Sequence, residues 1–146
     1  PWFGKVVSAF HIANFTRTLG SLLKGGVQML KALEITKDVL NHSVYNRVLE
    51  AAVRDCTGGS SLSASLRKDK TLPPIVIHMI SVGERSGNLD EMLLKTADAY
   101  DLEFENGVKK ALSLLEPALI LLMGLAVGFI VLAILLPIFE LNQVIR

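Results

Sequence analysis

From Pro117 to Phe139 the chain reads PALILLMGLAVGFIVLAILLPIF, a run with no charged or polar side chain. A helix rising about 1.5 Å per residue needs roughly 20 apolar residues to cross a bilayer's hydrocarbon core. Lipid offers no hydrogen bonds, so a spanning segment must satisfy its own backbone donors and acceptors, and a helix does this. The competing reading is a buried helix of a soluble core, but such helices are usually shorter and keep a polar face. The run therefore predicts a transmembrane helix over 117–139, and this divides the rest of the chain. Residues 1–9 become a juxtamembrane connector, 10–116 a helical domain and 140–146 a short tail.

The flanks set the direction. Lys109 and Lys110 precede the run and only Arg146 follows it. By the positive-inside rule the residues before Pro117 face the cytoplasm and the tail faces outward. Pro117 stands where a missing N–H is best tolerated, at a helix entrance or bend. Gly124 and Gly128 form a G-x-x-x-G on one helical face, a spacing that permits close helix–helix packing within a membrane.

The hydrophobic fraction is 51%, and its excess collects in that run. The preceding residues have ordinary soluble composition with helical periodicity. Ile12, Phe15, Leu19, Leu22 and Leu23 make one stripe, which Gly25 and Gly26 end. Met29, Leu30, Leu33 and Leu40 make a second, with Asn41 and Ser43 as break and N-cap. A third helix is expected to bury Tyr45, Leu49, Ala52 and Cys56 before Gly58 and Gly59, and a short fourth to carry Leu62 and Leu66. Pro73 and Pro74 open a fifth. Its IVIHMISV would also suit a strand, but no partner strand is evident. Asn88 and Glu91 have capping-box spacing for a sixth helix, burying Leu89, Leu93, Tyr100, Phe104, Val108 and Leu112 and leading into the span. The expected fold class is all-α: an antiparallel bundle of about six helices followed by one transmembrane helix.

Chemistry-bearing patterns are scarce. A net charge of +1 gives no sign of nucleic-acid binding, and there is no phosphate loop of the form GxxxxGK[ST]. His11, His42 and His78 lack ligand spacing, and the single Cys56 excludes both an intrachain disulfide and a cysteine-rich metal module. Neither metal nor cofactor is expected, and no catalytic residue. Asp98, Asp101, Glu103 and Glu105 read as a solvated helix face, with attraction of a basic partner or a cation as the alternative. The chain starts at Pro1, without Met or leader, and reads as a piece of a longer protein.

Three motifs, in order, carry a resemblance: FTRTLGSLLKGGVQMLKALEI, PPIVIHMISVGERSGNLDEML and LLEPALILLMGLAVGFIVLAILLPIFELNQVIR. Together they resemble the F-domain family, the inner-membrane platform proteins of bacterial type II secretion systems, with relatives in type IV pilus assembly. The ending LPIFELNQ is more similar to the secretion branch. The resemblance implies a full protein with two similar cytoplasmic domains and three spans, of which this chain is the second domain and last span. It implies a non-enzymatic scaffold in the inner membrane, homo-oligomeric and in contact with lipid. This scaffold would couple a cytoplasmic secretion ATPase to pseudopilus assembly, alongside other platform proteins and pseudopilins. The rival reading from another class is a tail-anchored helical receptor or signalling domain.

Gly83, Glu84, Arg85, Ser86, Gly87, Leu89 and Asp90 match the family's G-E-x-S-G-x-L-D signature. Two readings stand. In the preferred one the stretch is a tight interhelical turn that needs Gly87. In the other, Glu84, Arg85, Asp90 and Glu91 are candidate partner-binding residues.

Overall fold

The computed structural model describes residues 2–145. Pro1, counted in the connector, and Arg146, weighed in the orientation, lie outside the described residues. Six helices follow in order, with no strand among the described residues: α1 (Trp2–Lys24), α2 (Met29–Leu40), α3 (Ser43–Thr57), α4 (Leu62–Leu66), α5 (Pro74–Ser86) and α6 (Leu89–Val144). Two compact units divide the chain, Pro1–Glu105 and Asn106–Arg146.

The first unit is a helical bundle. Ala9, Ile12, Ala13, Phe15, Thr16, Leu19 and Gly20 bury one face of α1. Leu33 of α2, Leu49 of α3, Leu62 and Leu66 of α4, Val76 and Ile80 of α5 and Leu93 of α6 complete the core. Each large aliphatic side chain so buried contributes about 1.5–3 kcal/mol relative to exposure. Three threonines also lie inside, and each bonds its hydroxyl back one turn. Thr16 donates to the Ile12 carbonyl at 2.8 Å, Thr36 to Ala32 at 2.7 Å and Thr96 to Met92 at 2.7 Å. Helical carbonyls thus supply the partners these interior hydroxyls need.

The helix ends follow local chemistry. At the end of α1, Gly26 has φ 89°, Val27 N–H donates to Leu22 C=O and Gly26 N–H to Leu23 C=O. This is a Schellman closure, and its left-handed residue is a glycine because a Cβ there is strained. Asn41 takes the same role after α2 with φ 44°, so the N-cap of α3 falls on His42, which makes no side-chain capping bond. The break at Asn41 is as expected from the sequence, but the cap expected at Ser43 falls one residue earlier. The capping box at α6 does not form either. Asn88 N–H donates to Gly83 C=O at 3.0 Å, closing α5, and is no longer free for Glu91.

Burial departs from the periodic stripes in α1, α2 and α3, and again in α6. Leu30 is 37% exposed because Ala32, Leu33 and Thr36 form the inward face of α2. Val48, missing from the expected set, is buried beside Leu49. Helix α1 begins at Trp2, well before the stripe starting at Ile12, because its first turns bury almost nothing.

The second unit is the remainder of α6. Pro117 and Pro137 lie within the helix, and every described residue from 112 to 145 is exposed. Leu112, expected in the core, is 59% exposed. Soluble monomers rarely expose a contiguous apolar surface of this extent. Among the described residues α6 is the one helix long and apolar enough to cross a membrane.

Candidate functional site

The signature stretch folds as the corner where α5 turns into α6. Gly87 carries φ 75° and closes α5, as the turn reading requires. Gly83, one turn earlier, does a different job. A Cβ at this position would lie 2.8 Å from the Leu89 Cα and 3.1 Å from the Met92 Cβ, so α6 begins almost in contact with the backbone of α5. Gly20 allows a similar approach from α1, where a Cβ would meet the Leu93 Cβ at 3.0 Å.

Glu84 points inward, towards α4. Its Oε2 accepts the Leu62 N–H and its Oε1 the Ser63 N–H, both at 2.9 Å. The Ala64 N–H goes to the hydroxyl of the N-cap, Ser61, at 3.2 Å. A helix start leaves its first N–H groups without intrahelical acceptors. Here a carboxylate from another helix takes two of them, and it also matches the positive end of the helix dipole.

The other candidate residues face outward. Arg85 is exposed and forms none of the ion pairs among the described residues. Asp90 is half-buried and Glu91 exposed, both in the first turn of α6, where acidic groups complement the dipole. Arg67, which sequence reading passed over, shares a small cleft of about 280 Å³ with Glu84 and Arg85. Gly124 and Gly128 leave open space: nothing lies within 4 Å of a Cβ built at either.

The acidic run on α6 is partly neutralised. Arg17 of α1 bridges Asp98 at 2.8 Å and also binds Asp101, and these hydrogen bonds hold its guanidinium above its ordinary pKa. Exposed pairs of this kind contribute about 1 kcal/mol or less. Phe10 stacks on Phe104 with ring centroids 5.3 Å apart, so the same two helices also meet through aromatics.

His11 and His42 lie together, with ring centroids 4.5 Å apart and Tyr45 at 5.6 Å from each. Burial first, and the neighbouring His42 second, push His11 below its ordinary value of 6.5. The unfolded chain therefore binds this proton at higher pH than the folded chain. The resulting stability is present above 6.5 and is lost as pH falls below it. His11→Phe keeps the ring contacts and is expected to flatten the pH dependence of thermal unfolding between about pH 5 and 7. An unchanged slope would discount His11 as its source. Burial, followed by the Glu84 and Asp55 charges, pushes the Cys56 thiol up, which leaves it protonated and a poor nucleophile. Among the described residues no group of three His, Cys, Asp or Glu side chains is arranged to hold a metal ion.

This geometry belongs to a helical bundle with a capped corner and an exposed apolar helix. The family model for type II secretion system (T2SS) protein F matches residues 15–137. The chain belongs to the protein F family. It is 38% identical over 97% of its length to the type II secretion system protein F of Xanthomonas campestris, and 40% identical over 99% to that of Pseudomonas aeruginosa. It is also 38% identical over 96% of its length to the type IV pilus assembly protein PilC of Thermus thermophilus. The chain spans about a third of each of these proteins: 35%, 36% and 35% of their lengths. The sequence resemblance, the all-α class and the six-helix architecture are thereby borne out.

Proposed function

We propose that this chain is the second cytoplasmic domain and last membrane span of a non-enzymatic inner-membrane platform protein, which couples a cytoplasmic secretion ATPase to pseudopilus assembly. The observation that carries the reading is the family match across the bundle and into the span, together with a single helix, α6, that continues through Pro117. Residues 10–116 then lie in the cytoplasm, 117–139 in the inner membrane and 140–146 in the periplasm. Other platform proteins, pseudopilins and further copies of the same protein are its neighbours. Arg85, Asp90 and Glu91 contribute to a partner surface, while Glu84 fixes the corner that presents them. Gly124 and Gly128 mark the face of the span that packs on another membrane helix.

Coupling through α6 has a direct test. Four glycines inserted between Lys110 and Pro117 should leave membrane insertion intact but abolish exoprotein release by a strain whose own gene is deleted, compared at equal protein level. Gly124→Leu with Gly128→Leu, in the same assay, should reduce release by blocking the packing face. Normal release with the glycine insertion would reject coupling through α6 and leave a span that only anchors.

A second reading is assembly of a type IV pilus, supported by the 38% identity to the Thermus thermophilus pilus assembly protein. Loss of surface pili with normal exoprotein release in the deletion strain would select it.

A further inference from the structure

We infer that the outer face of α5, with the α4–α5 connection beside it, is a docking surface for an acidic amphipathic segment of a partner protein. Ile75, His78, Val82 and Arg85 are all exposed and follow one another at spacings of three, four and three residues, so they form one stripe along α5. Ile75 is 58% exposed, a large uncovered apolar group at the start of the stripe. Beside the stripe lies a groove of about 690 Å³ whose lining includes Arg67, Asp69, Lys70, Leu72, Ile77 and His78. The buried side chains of Leu72 and Ile77 floor it, and exposed cations rim it.

The charges of this region are unbalanced in a specific way. Three carboxylates of this region, Asp55, Asp69 and Glu84, are committed to the fold, while Asp90 and Glu91, past the Gly87 turn on α6, stand outside the groove lining. Asp55 accepts from the Ser65 hydroxyl at 2.7 Å and from Lys68 at 3.1 Å. Asp69 accepts from the Thr71 N–H at 2.8 Å and from the Thr71 hydroxyl, and pairs with Arg47. Glu84 caps α4. Arg67, Lys70 and Arg85 form none of the ion pairs found among the described residues. Uncompensated cations around an apolar floor complement carboxylates spaced around an apolar side chain, the pattern of an amphipathic acidic helix. Nucleic acid fits less well, because neither the stripe nor the groove holds a Phe, Tyr or Trp for successive bases to stack on. The inference stands on this surface and holds whichever filament the protein serves.

Lys70 makes the test chemical. A carbodiimide activates a carboxylate as an O-acylisourea; the Lys70 amine attacks it, an amide bond forms and the urea leaves. No spacer is added, so only a carboxylate in contact with Lys70 is captured. Membranes from the native host, with the full-length protein at its own level, are treated and the Lys70 peptides sequenced by mass spectrometry. The expected product joins Lys70 to an Asp or Glu in a protein segment that also carries large apolar residues. Its yield should fall about tenfold in Arg67→Glu/Arg85→Glu, by like-charge repulsion, and partly in Arg67→Gln/Arg85→Gln. Three outcomes would overturn the inference. One is a Lys70 yield no higher than that of the exposed Lys31, another a yield indifferent to charge reversal, and the third an adduct to the carboxylate of an anionic lipid.

Discussion

Gly83→Leu is expected to lower the stability of the bundle by about 3 kcal/mol or more, because Gly83 is buried at the α5–α6 corner. The position is crowded by backbone as well as side chain, since a Cβ would sit 2.8 Å from the Leu89 Cα. The start of α6 must therefore move, and the closure at Gly87 moves with it. Gly83→Ala separates the two contributions. Alanine gains about 1 kcal/mol of helix propensity over glycine, against about 1–3 kcal/mol of overpacking, so a net loss of about 0–2 kcal/mol is expected. Gly4 is a helical glycine with nothing near its Cβ position, and Gly4→Ala should be neutral or slightly stabilising. Cys56 provides the readout. It is the chain's single thiol and packs against the core, so a thiol-reactive dye in a detergent-solubilised thermal ramp reports opening of the bundle alone. One kcal/mol corresponds to about 4–8 °C for a domain of this size. Equal melting of the Gly83 and Gly4 alanine variants would remove the close-approach argument.

Glu84→Ala is expected to cost about 2–3 kcal/mol, because it leaves the Leu62 and Ser63 N–H groups without their acceptors. Glu84→Gln retains one carbonyl oxygen and should lose about half as much, since the amide can accept only one of the two bonds. Arg85→Gln, next along the helix but pointing outward, should be within about 0.5 kcal/mol of the parent. In the same thiol assay, the expected order of melting temperature is parent and Arg85→Gln together, then Glu84→Gln, then Glu84→Ala. If Arg85→Gln and Glu84→Ala lost stability equally, Glu84 would not be the capping group described.

Most of the helix boundaries were legible in the sequence because they are written in local chemistry. The pairs Gly25–Gly26 and Gly58–Gly59 and the prolines at 73 and 74 act within a few residues of their own position. The start of α1 was not legible: Trp2, Phe3 and Val7 remain exposed, so no buried stripe exists there to count. At the signature, Gly87 announced the turn, since a left-handed residue at a helix end is a local requirement. The roles of Gly83 and Glu84 are tertiary. One depends on how closely α6 approaches, and the other on a helix start 22 residues upstream. Arg17 and its two aspartates, 81 and 84 residues away, are hidden for the same reason. Arg67 and Lys70 were visible as charges, but their lack of partners became apparent only once Asp55, Asp69 and Glu84 were seen to be occupied.

The cap that Glu84 places on α4 also bears on the order in which the bundle assembles. Five residues are far too few for a helix to persist alone, because the nucleation cost is never recovered over so short a length. Two of α4's first amides wait for an acceptor that arrives only when α5 has formed and docked. Helix α4 is thus a conditional element, ordered by a later part of the chain. Its opening is tied to the release of α5, so the two helices behave as one cooperative unit that closes and comes apart together.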